Sequence, residues 1–141
     1  MGNIIERELM LDARAENYQK VKDFVRESLA DTLCEDTVIM QTCMAAEEIF
    51  TNIAYYAYDD GEEGTAVIRL KADPESKMIE LVFIDSGQKY DPLAKEDPDV
   101  TLSAEERQIG GLGIYMVKKS MDNMTYEYKD NKNILTIEKN I

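Results

Sequence analysis

Glu47-Glu48-Ile49-Phe50-Thr51-Asn52-Ile53-Ala54-Tyr55-Tyr56-Ala57-Tyr58 is the stretch from which the rest of this chain can be read. Through it, Ile39, Cys43, Ala46, Phe50, Ile53 and Ala57 recur at intervals of three and four. That is the spacing of one buried helix face, and it predicts a helix over about residues 36–58, stopped by Asp59-Asp60-Gly61. Glu48 and Asn52 stand at i and i+4, so they project from one side of the helix about a turn apart. A carboxylate and an amide so placed suit a hard cation held through oxygen, with the carboxylate available to position or deprotonate a nucleophile. The same pair also suits a solvated helix face.

Working outward, residues 4–11 read as a first strand. Tyr18, Val21, Phe24, Val25 and Leu29 mark a helix over about 14–31, with Asp12 positioned to cap its N-terminus. Downstream, residues 65–72 and 77–85 alternate in the strand manner around the turn Asp73-Pro74-Glu75-Ser76, which predicts an antiparallel hairpin. Periodicity then fails across residues 86–109. An unpatterned stretch of that length inside a compact fold is usually functional. Gly110-Gly111-Leu112-Gly113 opens a third helix with the stripe Ile114, Val117 and Met121. Two closing strands, near 124–129 and 134–139, flank the turn Asp130-Asn131-Lys132-Asn133.

Two further places hold chemistry-bearing residues. In Asp85-Ser86-Gly87 an apolar strand ends in a carboxylate, acceptor-only when ionised and so suited to an exocyclic amino group such as that of adenine. Gly87 permits close backbone approach, and the tripeptide also reads as an ordinary turn. At Gly110-Gly111-Leu112-Gly113 the unpaired N–H groups of a helix start, bordered by glycines, form a ready anion site or, equally, a hinge.

Composition removes many alternatives. The 141 residues carry 16 Lys plus Arg against 29 Asp plus Glu and no His, a formal charge of −13. Without His, neither Ser-His-Asp nor Cys-His catalysis nor a His-ligated metal is available. The acidic balance argues against nucleic acid and anionic membranes, which need clustered basic residues. Cys34 and Cys43 lack C-x-x-C spacing and read as free thiols in a reducing compartment. Met1 to Glu8 becomes charged too early for a signal peptide, and no apolar run approaches the ~20 residues of a spanning helix. At 44% hydrophobic, the chain is expected to form one domain with a real core, in the cytoplasm.

In order and combination, a helix with Glu-x-x-x-Asn, a strand ending Asp-x-Gly, a long loop and a Gly-x-Gly helix start resemble the Bergerat or GHKL ATP-binding fold. Within that superfamily, the stretch 47–58 and Gly111-Leu112-Gly113-Ile114-Tyr115-Met116-Val117-Lys118-Lys119-Ser120-Met121-Asp122 are most similar to the anti-sigma-factor serine/threonine kinases. The resemblance covers essentially the whole chain, 1–141 as a single ATP-binding domain. It implies an α+β two-layer sandwich, with helices on one face of a mostly antiparallel sheet.

By the same resemblance, the cofactors are ATP and Mg2+, with Asn52 the magnesium ligand and Glu48 the group that orients or activates the attacking hydroxyl. Asp85 accepts from adenine, Gly87 lies against the base, and the backbone of Gly111, Leu112 and Gly113 holds phosphates. Thr136 supplies a second adenine-side hydroxyl, residues 86–109 form the lid, and Arg107 meets the terminal phosphate. The implied activity is phosphorylation of a STAS-type anti-anti-sigma protein, with a sigma factor as the other partner. The alternative is a non-catalytic ATP-sensing module that sequesters a partner. A homodimer is implied too, for which Ile4, Ile5, Leu9 and Leu11 offer apolar positions. Two departures stand out: Lys89 where the family commonly continues with Gly, and Tyr56 where a His commonly follows the Asn.

Overall fold

In the computed structural model, which describes residues 4–30, 32, 34–58, 64–94 and 112–141, the alternating segments become five antiparallel strands. They are β1 (Ile5–Asp12), β2 (Thr65–Asp73), β3 (Met78–Asp85), β4 (Asn123–Lys129) and β5 (Lys132–Asn140), ordered β1-β2-β3-β5-β4 across the sheet. The three helices are α1 (Tyr18–Leu29), α2 (Asp36–Tyr56) and α3 (Leu112–Ser120). Period-two burial assigns one face of the sheet to the core: Ile68 and Leu70 of β2, Leu81 and Phe83 of β3, Leu135 and Ile137 of β5. Against it lie Val21, Val25 and Leu29 of α1, Ala46, Ile49 and Phe50 of α2, and Val117 of α3. Each large apolar side chain so buried contributes about 1.5–3 kcal/mol. The α+β sandwich expected from the sequence is therefore observed.

Three local expectations are corrected. Asp12 does not cap the first helix: it ends β1, and a 3-10 turn over Ala15–Asn17 precedes α1, whose N-cap Asn17 makes no capping bond. Asn17 Nδ2 donates instead to the Asp12 main-chain oxygen at 3.0 Å, since the chain must first turn off the sheet. Of the apolar positions offered for a second copy, Leu11 is instead buried in this chain's own core and Ile5 and Leu9 are partly buried against it, while Ile4 is exposed.

The third correction bears on the site. The closing hairpin turns on two residues, Asp130 (φ 53°) and Asn131 (φ 62°), both in the left-handed region that Asp and Asn tolerate. Lys129 therefore pairs with Lys132, and Asn133, read as a turn residue, becomes a buried member of β5 opposite Asp85.

Two ties hold the end of α2 to the end of β3. Tyr58 Oη donates to the Thr65 carbonyl at 2.8 Å and accepts from the Ser86 N–H at 3.0 Å. The Gln88 N–H donates to the Ala57 carbonyl at 2.7 Å. Between them Gly87 is pressed so closely on α2 that a Cβ there would lie 2.1 Å from the Ala57 oxygen and 2.6 Å from its carbonyl carbon. Backbone cannot swing aside as a side chain can. Gly87→Ala is therefore expected to cost about 1–3 kcal/mol of stability by overpacking, read as a lower urea midpoint at unchanged m-value. A wild-type midpoint would refute that contact.

Candidate nucleotide site

The sheet end that carries Asp85 faces the C-terminal half of α2, and a small cavity opens between them. Its walls are mostly apolar, with Ile49 and Ile53 from α2, Phe83 from β3, Ile114 from α3 and Leu135 from β5. A few polar groups converge on it: Asn52, Asp85 and Asn133, with Tyr90 and Tyr126 beside them. An apolar slot with few fixed polar groups is the usual form of a site for a flat organic ligand.

Asp85 is 5% exposed, and its Oδ1 accepts from the Gly87 N–H at 3.0 Å and from Asn133 Nδ2 at 2.9 Å. Burial pushes this carboxyl above the usual carboxylate range, and those two donors oppose the shift. The sheet register sets Asp85 opposite Asn133 on the helix-facing side. By the same register Thr136 pairs with Val82 and Thr125, three residues from Asn133 and so on the other face of the sheet. Side chains alternate across a strand, so Thr136 does not join this group, and the expectation of an adenine-side hydroxyl there is corrected.

On α2, Asn52 is buried at 8% exposure, and its Nδ2 donates to the Glu48 main-chain oxygen at 3.0 Å and to Glu48 Oε1 at 3.4 Å. With the amide nitrogen so engaged, Oδ1 is the atom chemically suited to a cation. Glu48 is half-buried, and burial raises its carboxyl above the ordinary range. The Asn52 amide works against that shift and neighbouring Glu47 adds to it. A Cβ built on Gly113 would fall 1.8 Å from Glu48 Oε1, so the carboxyl lies directly against the first turn of α3. The sequence's helical carboxylate is thus set beside the helix N-terminus that it also singled out. At the other end of α3, Lys139 Nζ donates to the Ser120 carbonyl at 2.7 Å, a cation where the helix dipole is negative.

The structure therefore brings Asn52 and Asp85 to one cavity and Glu48 to Gly113, while Gly87 serves the junction with α2. Arg107, Gly111, most of the 86–109 stretch and Asp59-Asp60-Gly61 lie outside the described residues, and of Leu112 only the helical backbone is described. At the two departures, Tyr56 stacks on Tyr90 with centroids 5.4 Å apart, and Lys89 lies over the Tyr128 ring at 5.6 Å. Asn133 was missed by sequence reasoning. Its signal was the alternation Asn133, Leu135, Ile137, which put an amide in phase with two core residues.

Over 94 residues the chain is 29% identical to the serine/threonine-protein kinase BtrW of Bordetella bronchiseptica, a match covering 67% of this chain and 65% of that protein. Its fold is similar to that in the crystal structure of the RsbU and RsbW domains of Rv1364c from Mycobacterium tuberculosis. The TM-score is 0.63 at 15% identity, over 96% of this chain and 32% of the mycobacterial one. The chain thus spans a little under two thirds of the first relative and about a third of the second. No helix among the described residues is long and apolar enough to cross a membrane. Residues 11–139 match the model of the histidine kinase-like ATPase domain, and the chain belongs to that family.

Proposed function

We propose that this chain binds ATP in the cavity beside Asp85 and transfers its γ-phosphate to a serine or threonine of a small partner protein. In this reading the chain is one ATP-binding unit with residues 86–109 as its lid, and it works as an anti-sigma factor. The partner it phosphorylates is of the STAS anti-anti-sigma type, and the alternative partner is a sigma factor held inactive; the active form is a homodimer. The observation that carries the reading is the meeting of a buried carboxylate and a buried amide in one apolar cavity, with a second carboxylate against a nearby helix start. The kinase named among its relatives supports the direction of the chemistry.

Adenine fits the slot because Ile53, Phe83 and Leu135 supply apolar walls and Asp85 supplies an acceptor for the exocyclic amino group. The backbone N–H groups at the start of α3, near Gly111, Leu112 and Gly113, hold phosphate oxygens with the favourable end of the helix dipole. Arg107 adds positive charge at the terminal phosphate. No group of three His, Cys, Asp or Glu side chains gathers among the described residues to hold a metal alone. That donor set fits magnesium, which keeps water and phosphate oxygens and needs only one or two protein ligands. Asn52 Oδ1 would be that ligand. Bound magnesium would neutralise charge developing on the phosphate oxygens. Glu48 receives or orients the attacking hydroxyl's proton, and Asn52 holds its carboxyl toward α3.

The test is incubation of the protein with γ-labelled Mg-ATP and a STAS-type partner, followed by mapping of the label. Label on a partner Ser or Thr is expected. Bound ATP with no transfer to any partner would instead leave a nucleotide-sensing module that sequesters its partner.

A further inference from the structure

Asn133 satisfies all four of its hydrogen-bonding positions at one point. Its Nδ2 donates to Asp85 Oδ1 at 2.9 Å and to the Gln88 carbonyl at 2.8 Å. Its Oδ1 accepts from the Tyr90 N–H at 3.1 Å and from the Tyr126 hydroxyl. One buried amide thus joins β3, β4, β5 and the segment that leaves β3. Tyr90, held by its N–H, lines the cavity and stacks on Tyr56 of α2, while Gln88 Nε2 donates to the Tyr56 carbonyl at 2.6 Å.

Two consequences follow from this geometry. With Oδ1 of Asp85 taken by Asn133 and Gly87, the carboxylate cannot rotate freely, and Oδ2 is the oxygen left to face a ligand. The same amide holds the Gln88 carbonyl and the Tyr90 N–H, so turning the carboxylate disturbs the cavity wall at Tyr90.

We infer that Asn133 is the positioning residue of the nucleotide cavity: it aims Asp85 at the exocyclic amino group of the base and couples that recognition to the seating of Gln88 to Tyr90. The inference rests on the ATP-binding reading above and deepens it, since it assigns base selectivity to an amide on β5. Asn133 itself makes no contact with the reacting atoms. Its part is to fix the rotation of Asp85 and to report the occupancy of that group to the chain behind it.

The test compares ADP with inosine diphosphate, which carries an oxygen where ADP carries the amino group. Calorimetry on wild type, Asn133→Ala, Asn133→Leu and Asp85→Asn is combined with hydrogen exchange at Gln88–Tyr90. Wild type is expected to prefer ADP, and to gain protection at Gln88–Tyr90 on binding it. Asn133→Ala should weaken ADP by about tenfold to a hundredfold, the range for a hydrogen bond to a charged group, while inosine diphosphate changes little. The ADP preference collapses, and ADP no longer protects Gln88–Tyr90. Asn133→Leu, nearly the same shape but without the donor, should behave alike if it folds when the alanine variant does not. A merely structural role would weaken both nucleotides equally and keep their ratio, and that result overturns the inference. A wild type that prefers ADP, loses it in Asp85→Asn and keeps it in both Asn133 variants overturns the inference but leaves the ATP-binding reading standing. A wild type that binds neither nucleotide removes both.

Discussion

Glu48→Gln is expected to reduce phosphoryl transfer by about 10²–10⁴-fold, the usual contribution of a positioned general base, while ATP binding stays near wild type. The substitution keeps the shape that lies against Gly113, and its amide oxygen can still accept from Asn52, so the cavity beyond it should be undisturbed. What it loses is the negative charge beside the nucleophile. Single-turnover transfer with labelled ATP, set beside a direct binding isotherm, separates the two effects. Transfer at the wild-type rate in the glutamine variant would sink the role given to Glu48. A pH profile adds an independent check. A carboxylate base works only when ionised, and burial raises the Glu48 carboxyl above the ordinary range. Transfer at saturating ATP should therefore rise with pH through that raised value. The fall on the acid side should come at higher pH than it would for an exposed carboxylate. Saturating ATP matters because the Asp85 carboxyl is also raised and its protonation would weaken binding on the acid side.

Asp85→Asn should abolish stabilisation by ATP without harming the unliganded fold. Ligand at about 100-fold above its dissociation constant adds ~2.7 kcal/mol, and that increment should vanish in the variant. The amide's oxygen can occupy the place of Oδ1 and accept from Asn133 and Gly87. Its NH2 then faces the ligand, donor against the donor amino group of adenine, so the fold survives and the recognition does not.

The apo protein points the same way. Because burial raises the Asp85 carboxyl, its contribution to folding is most favourable when protonated, below its unfolded pKa, and is lost as pH rises through the folded value. At neutral pH the charge therefore costs the unliganded fold stability, and replacing it with a neutral amide should hold or raise the apo melting temperature. Thermal unfolding of both proteins with and without Mg-ATP reads all four states. An ATP-dependent rise that persists in the variant would remove Asp85 from base recognition.

The places where sequence and structure agree and differ have identifiable physical causes. The spacing in α2 made Glu48 and Asn52 neighbours on sequence grounds alone, because a helix converts i, i+4 into adjacency without help from the rest of the chain. The strands β2 and β3 were legible for the same reason, since alternation records which face is wet. The end of the closing hairpin was not legible. Four polar residues, Asp130 to Asn133, suit a turn, and only the pairing of β5 with both β4 and β3 shows that two suffice and that Asn133 belongs to the strand. That one reassignment gives Asp85 a buried polar partner, Asn133, that the turn reading did not offer. A single step along a strand inverts every side chain, so composition cannot substitute for register.

Local periodicity and turn chemistry by themselves determined the succession of the five strands and three helices seen among the described residues. They also singled out three short motifs and excluded every mechanism that needs histidine. Those are properties of near neighbours in the chain, where backbone geometry alone sets which side chains meet. The tertiary structure alone decided that Asp85 and Asn52 share a cavity, that the Glu48 carboxyl rests on Gly113 some 65 positions further along the chain, and that Asn133 supports Asp85 while Thr136 lies on the other face of the sheet. Such contacts depend on strand order, register and the packing of helices onto one sheet face. Those are set by the burial of the whole core at once, and no local pattern carries them.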